Sequence, residues 1–345
     1  MRKENLTPIQ WTRTNEVRFL RQDLLPHTIE YHSTDDYRVI CSAIKKLWVR
    51  GAPTVGISAA MALALAACKS DALSIERFKK DLNKILLKIK STRPTAKNIS
   101  TALDEMTKVL NSQTSVLLAK KALKLTAVKL LNEQIESCQK IVANGYSLLP
   151  QGGVLTHCNA GPLACCGCGT ALGIITKAYH DGQISHVIVD ETRPLLQGTR
   201  ITTFELKKAK VPHFLITDSM AAWAMQKGLV QSVIVGADRI AQNGDTANKV
   251  GTYALALLAQ EHGIPFFVAA PMSTFDHFAT SGKDIIIEER EGTEITSFAS
   301  CVVAPLGTKT YNPSFDVTPA KLITAIVNED GIFGAPYDFG KKDEI

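Results

Sequence analysis

The chain has no long apolar stretch at either level that would place it in or across a membrane. Its Met1 region lacks the apolar core of a secretion signal. Its longest apolar run, residues 55–68, falls short of the roughly 20 residues that a spanning helix needs. No basic block with interleaved aromatics occurs, and a net charge of +6 spread along the chain argues against nucleic acid while leaving room for an anionic small substrate. No segment is low in complexity. Eight cysteines without a secretion signal fit reduced thiols. These absences predict a cytoplasmic protein with neither a membrane nor a nucleic-acid partner.

At 345 residues, 45% of them hydrophobic, the chain exceeds one typical domain and can bury a sizeable core. The first 45 or so residues alternate apolar and polar, as in Ile9-Gln10-Trp11-Thr12, and predict short strands. A helix from about Thr34 carries Tyr37, Ile40, Ile44 and Leu47 on one face, with Asp35 and Asp36 in its first turn. Arg50-Gly51-Ala52-Pro53 then precedes a small-residue helix. Gly51 permits close backbone approach and Pro53 suits a first helical position, so a cation beside helix amides could seat a phosphate. Taken alone, the same four residues also describe a surface turn with a solvated arginine. Ser91–Asn98 repeats the pattern of arginine, helix-starting proline and helix. A long helix follows over 115–149 and reads as a connector, giving a division into 1–114, 115–149 and 150–345.

The period changes in the second half. Five apolar runs end in polar residues: 154–158, 186–192, 213–219, 232–238 and 265–271. Helical patterns separate them, which predicts an α/β domain with a parallel sheet covered on both faces. Ligands in such sheets bind beyond the carboxyl ends of the strands. The tips Cys158, Asp190–Arg193, Asp218-Ser219, Asp238 and Ser273 therefore face one crevice.

Several constellations invite a sharper reading. Gly167–Gly173 resembles a degenerate dinucleotide fingerprint, but its glycines come too far after the strand for the tight turn that motif requires. Those amides hold a phosphate or simply let helix and sheet pack. Cys165 and Cys168 have C-x-x-C spacing, yet no second pair or spaced histidines accompany them, so they read as structural. Cys158 sits at a strand end beside glycine-rich amides, where a thiolate is stabilised; a buried inert cysteine is the competing reading. Its neighbour His157 is a poor dyad partner because adjacent strand residues point to opposite faces. Asp238 ends an apolar strand, where burial suits a proton donor, or it caps a helix. Asn248 and Lys249 open the next helix, in reach of an anion or a sugar hydroxyl.

Six motifs together carry a resemblance: RGAP at 50–53, TRPTAKN at 92–98, THCNAG at 156–161, DETRPLLQGTR at 190–200, GADRIAQNGDTANKVGT at 236–252 and NPSFDVTPAKLITAIV at 312–327. In this order they resemble the methylthioribose-1-phosphate isomerases of methionine salvage, whose fold is shared with regulatory subunits of initiation factor 2B. The resemblance covers about Trp11 to Phe333. It implies a small N-terminal α+β domain, a Rossmann-like C-terminal domain with a largely parallel sheet, and a homodimer. It makes Cys158 and Asp238 the catalytic pair and Arg50, Gly51, Ala52, Arg93, Gln197, Asn248 and Lys249 substrate contacts. The implied substrate is a small sugar phosphate, 5-methylthioribose 1-phosphate, converted to the open-chain ketose with no metal and no cofactor. Relatives acting on 5-deoxyribose 1-phosphate or ribose 1,5-bisphosphate are the enzymatic alternatives. A regulatory translation-factor subunit, which generally has Glu in place of Asp238 and lacks the cysteine, is the non-enzymatic one.

Overall fold

A computed structural model describes residues 6–298 and 301–340. Two compact units emerge, one of residues 1–139 with 161–169, the other of 140–160 with 170–345. The segment 161–169, placed by the sequence within the last of three divisions, thus belongs with the N-terminal residues.

The first unit begins with an antiparallel sheet of β1 (Ile9–Trp11), β2 (Val17–Leu20) and β3 (Tyr31–Thr34). Helices α1 (Tyr37–Lys45), α2 (Ala52–Lys69), α3 (Ile75–Lys90), α4 (Lys97–Ser112) and the long α5 (Val116–Gly145) follow. Asp36 lies outside α1 as its N-cap, accepting from the Arg38 amide at 2.9 Å, where a short carboxylate satisfies an orphan helix donor. Pro94 does not start a helix: it stands in a turn, and α4 begins three residues later at Lys97. The predicted connector ends early, at Gly145, and the boundary between units falls inside it.

Helix α2 is apolar all round and packs against α1, α3 and α4. Its 18 residues have a mean hydropathy of 1.4, the one described helix long and apolar enough to cross a membrane, yet 83% of it is buried in the unit. A helix surrounded by neighbours needs no polar face, so this composition is that of a core helix. Gly51 caps its start with φ +89°, and a Cβ there would lie 2.4 Å from the Ala164 Cα. The close approach expected of Gly51 is therefore to the 161–169 segment, whose short helix α6 (Pro162–Cys165) packs on α2.

The second unit is Rossmann-like. Its strands β4 (Gly152–Thr156), β5 (Ile184–Asp190), β6 (His213–Ile216) and β7 (Ser232–Val235) are joined through α7 (Ala171–His180), α8 (Thr203–Ala209) and α9 (Ala221–Gln226). A hairpin of β8 (Arg239–Ala241) and β9 (Thr246–Lys249) precedes α10 (Thr252–Glu261) and β10 (Phe266–Ala269). Then come β11 (Phe275–Asp276), the small pair β12 (Ser297–Phe298) and β13 (Cys301–Val302), β14 (Phe315–Thr318), β15 (Ala325–Asn328) and β16 (Gly331–Gly334). The main sheet runs β16-β15-β10-β7-β4-β5-β6, parallel except for β16. A second sheet runs β11-β8-β9-β14.

All five predicted apolar runs are strands of the main sheet. One departs from the expected burial: at the sheet edge β6 leaves Phe214 and Leu215 exposed. From β4 the chain moves outward to β5 and β6, then returns to the other side of β4 to lay down β7, β10 and β15. The direction of winding reverses between β4 and β7, the switch point where α/β sheets leave a crevice beyond their strand ends.

Asp245 braces the hairpin. Its carboxylate accepts from the Gly282 amide at 2.9 Å, the Ala320 amide at 2.8 Å and Asn243 Nδ2 at 3.0 Å, tying three segments together. Burial pushes its pKa up, but these donors prevail and hold it below the ordinary value. A depressed carboxyl stabilises the fold above the unfolded pKa of about 4, and that contribution is lost as pH falls through the folded value. Asp245→Asn can accept at only one oxygen, so thermal denaturation at pH 7 should show a loss of about 1–3 kcal/mol. The difference from the parent should shrink on acidification below about pH 4; a constant difference would contradict the brace.

Candidate active site

Strand β4 stops at Thr156, and the chain then turns sharply. Cys158 has φ +61°, left-handed backbone that a residue with a Cβ seldom adopts. Both peptide groups flanking its Cα are held. Its N–H donates to Thr192 Oγ1 at 2.9 Å, and its carbonyl accepts from Thr202 Oγ1 at 2.5 Å. The Thr192 hydroxyl in turn donates to the Asp190 carbonyl at 3.2 Å. The Thr202 hydroxyl accepts from Asn159 Nδ2 at 3.1 Å, which also donates to Glu205 Oε2 at 2.6 Å. Sequence reasoning put Thr192 at a strand tip without a role and missed Thr202, because neither contact is local.

His157 is occupied at both ring nitrogens. Nδ1 lies 2.9 Å from Asp190 Oδ2 and Nε2 lies 2.9 Å from the Val250 carbonyl, with both side chains 1% exposed. A carbonyl only accepts, so Nε2 carries a proton. A second proton must lie between Nδ1 and Oδ2. Burial alone would push the His157 pKa down, but the Asp190 bond and charge reverse this and raise it; burial likewise raises Asp190. Both shifts keep the bridging proton in place, and the pair carries no net charge whichever atom holds it. His157 is therefore no base for Cys158, as expected, although the reason is its bonding rather than strand alternation.

The tips of β4, β5 and β6 thus converge. The Asp218 carboxylate joins them, accepting from the Thr192 amide at 2.8 Å and the Arg193 amide at 2.7 Å. His157, Asp190 and Asp218 offer three ligand atoms within 4.8 Å of one another, the one such group among the described residues. Their nitrogens and oxygens are engaged internally except Asp190 Oδ1, which is buried without a partner. That donor set is built to hold backbone.

Gly198 opens a π-helical turn, Gly198–Thr202, which delivers Thr202 to Cys158. A Cβ at Gly198 would lie 1.7 Å from the Asp190 carbonyl oxygen, so only glycine fits. Gln197, just before it, is buried, and its Oε1 has no hydrogen-bond partner among the described residues.

Asp238 follows β7, half-buried, with its amide donating to the Ala247 carbonyl at 2.9 Å. It caps no helix, because the next element is β8. Ahead of it, a Cβ on Gly236 would come within 2.8 Å of the Ala160 Cβ, so the β7 tip lies against the turn containing Cys158. Asn248 and Lys249 end strand β9 instead of opening a helix. Asn248 Nδ2 donates to Thr252 Oγ1 at 3.0 Å, and the buried Lys249 Nζ sits 4.8 Å from the centroid of Phe315. The N-terminus of α10 is already filled: the Asp316 carboxylate accepts from the amides of Gly251 at 2.7 Å and Tyr253 at 3.1 Å. Any anion-binding there falls to the side chains.

Cys158, Asp238, Gln197, Asn248 and Lys249 belong to the second unit, and Arg50, Gly51, Ala52 and Arg93 to the first. In the first unit Cys165 and Cys166 are buried, and the Cys166 sulfur lies 3.0 Å from Thr54 Oγ1. Burial pushes Cys166 up to about 12 and Cys168 up to about 11, which leaves poor nucleophiles and supports their structural reading.

The left-handed turn at Cys158 has a measurable consequence. Elsewhere in a folded chain glycine costs about 0.5–1 kcal/mol relative to alanine. Here a Cβ is itself penalised by roughly 1–2 kcal/mol. Cys158→Gly should therefore melt at or above Cys158→Ala, and a clearly less stable glycine variant would contradict the conformation.

The Initiation factor 2 subunit family matches residues 48–335. A methylthioribose-1-phosphate isomerase of Dehalococcoides mccartyi (strain ATCC BAA-2266 / KCTC 15142 / 195) is 51% identical over 325 residues, covering 94% of this chain and 97% of the relative. Among solved structures, the 5-methylthioribose 1-phosphate isomerase of Pyrococcus horikoshii OT3 is 40% identical with a TM-score of 0.89, over 97% of this chain and 94% of that one. The translation initiation factor eIF-2B subunit delta of A. fulgidus is also 40% identical, with a TM-score of 0.84 over 96% and 97%.

Proposed function

The chain belongs to the Initiation factor 2 subunit family, and from that premise we propose that it is an isomerase converting 5-methylthioribose 1-phosphate into 5-methylthioribulose 1-phosphate in methionine salvage. Relatives about 50% identical to it over nearly their whole length bear that enzyme's name. The observation that carries the reading is topological. Cys158 and Asp238 follow β4 and β7, the two neighbouring strands between which the sheet reverses its winding.

The substrate is a closed ring whose anomeric phosphate prevents spontaneous opening to a free aldehyde. Asp238 gives a proton to the ring oxygen as its bond to C1 breaks, leaving positive charge shared between C1 and the phosphate-bearing oxygen. The Cys158 sulfur takes the C2 proton, the C–H electrons form the C1–C2 double bond, and an enediol-like phosphate results. The proton returns to C1 as the C2 hydroxyl loses its own to the Asp238 carboxylate. The ketose forms, and both residues recover their starting states. In the rival route hydride passes from C2 to C1 with the two residues only polarising oxygens. Neither route calls for a metal or a nicotinamide.

Gln197 offers a buried, unpartnered acceptor that a sugar hydroxyl would satisfy. Asn248 and Lys249, on the hairpin strand paired with the residues after Asp238, supply a donor and a cation. Arg50, Gly51, Ala52 and Arg93 remain proposed contacts on their motifs alone. The protein is proposed to act in the cytoplasm as a homodimer and should sediment at twice its chain mass.

Turnover of 5-methylthioribose, 5-deoxyribose and ribose 1-phosphates, with ribose 1,5-bisphosphate alongside, tests the substrate. Preference for the bisphosphate would overturn the assignment, and no turnover at all would favour a regulatory subunit. Cys158→Ser and Asp238→Asn should each lose at least ~100-fold in kcat, as loss of an acid–base group does, while still binding substrate. Near-normal turnover by either variant would remove that residue from the mechanism. Solvent deuterium at product C1 supports the enediol; complete retention of C2 deuterium in the product sinks it.

A further inference from the structure

A catalytic thiol in left-handed backbone needs something to keep it there. The torsions φ and ψ of Cys158 relate two peptide planes, and a threonine hydroxyl is bonded to each: Thr192 to the N–H of one, Thr202 to the carbonyl of the other. Each hydroxyl both accepts and donates, in a fixed sense. Thr192 accepts from Cys158 and donates to the Asp190 carbonyl, while Thr202 accepts from Asn159 and donates to the Cys158 carbonyl. A hydroxyl with one donor and one acceptor already assigned cannot rotate to serve another group without losing both.

Each threonine is in turn anchored in backbone that has no slack. The Thr192 amide is tied to Asp218, and Thr192 itself has φ +65°. Thr202 ends the π-helical turn that Gly198 presses onto Asp190. Both side chains are essentially buried, at 0% and 1% exposure, so water does not compete for the bonds.

The geometry points to Thr192 and Thr202 as positioning residues: together they clamp the two peptide planes of Cys158 and so aim its sulfur. This deepens the proposed isomerase reading and rests on it for the role of Cys158, but the clamp itself is made by this chain's own hydrogen bonds.

Thr192→Val and Thr202→Val keep the shape of the side chain and remove the hydroxyl; Thr192→Ser and Thr202→Ser keep the hydroxyl. Two readouts are taken, steady-state kinetics and the rate of Cys158 alkylation by iodoacetamide followed by mass spectrometry of its peptide. The valine variants should lose about 10- to 100-fold in kcat with a much smaller change in KM, as a misaimed group does. Their Cys158 should alkylate faster than the parent's, with the serine variants near the parent in both readouts. Three results overturn the clamp. They are valine variants within about twofold of parental kcat, a kcat loss with unchanged alkylation, and serine variants that behave like valine. Should the valine variants fail to fold, the serine variants decide: parental alkylation supports the clamp and faster alkylation rejects it. If the parent does not turn over 5-methylthioribose 1-phosphate, the substrate reading falls, and the alkylation comparison still tests the clamp.

Discussion

The second unit is organised around one awkward residue. A strand that simply ran on past Thr156 would bury the next side chains in the sheet, whereas a left-handed residue breaks the pleat and carries the side chain beyond the strand end. That conformation is unfavourable for cysteine, and the surrounding structure must over-determine it. The hydroxyls of Thr192 and Thr202 do so directly. The Asp218 carboxylate, the π-helical turn and the glycine at 198 hold the threonines in turn. Much of the segment from Asp190 to Glu205 is accounted for by this single backbone requirement.

What the sequence made legible follows from the range of the interactions involved. The apolar runs at 154–158, 186–192, 213–219, 232–238 and 265–271 are strands because burial on a parallel sheet demands continuous hydrophobicity, a local signal. The end of one helix and the start of another proved harder. Pro94 offers the fixed φ that suits a helix start, yet it serves a turn, and a turn uses the same φ. Asn248 and Lys249 look helix-opening because α10 follows them, while antiparallel pairing with the distant β14 claims them as strand. The contact that fills the α10 N-terminus comes from Asp316, 63 residues beyond Tyr253, and no window on the sequence could show it. The clamp on Cys158 was hidden for the same reason: its bonds span 34 and 44 residues.

The scaffold alone does not choose between catalysis and regulation. A structure bearing an isomerase name and one bearing a translation-factor name are equally identical to this chain and nearly equally superposable. Fold-level likeness therefore carries the family and stops there. On the proposed reading the choice lies in a few side chains, chiefly a thiol after β4 and an aspartate after β7. Left-handed backbone persists where the surrounding structure over-determines it, and Leu47 and Lys210 adopt it as well. What distinguishes Cys158 is that both of its peptides are held by buried hydroxyls.

The buried pair beside Cys158 bears on the same chemistry through charge. A lone Asp190 carboxylate, 1% exposed and one bond from the residue next to the thiol, would disfavour a thiolate and repel a phosphate dianion. Removing the carboxylate would leave the imidazole and the β5 tip without their anchor. Pairing it with His157 meets both demands. The Val250 carbonyl fixes one proton on Nε2, the Nδ1–Oδ2 bond retains another, and the assembly is neutral in either arrangement. Neutrality also explains how His157 and Asp190 can both be buried at the strand tips. The pair gives the strand tips a joint that carries no net charge.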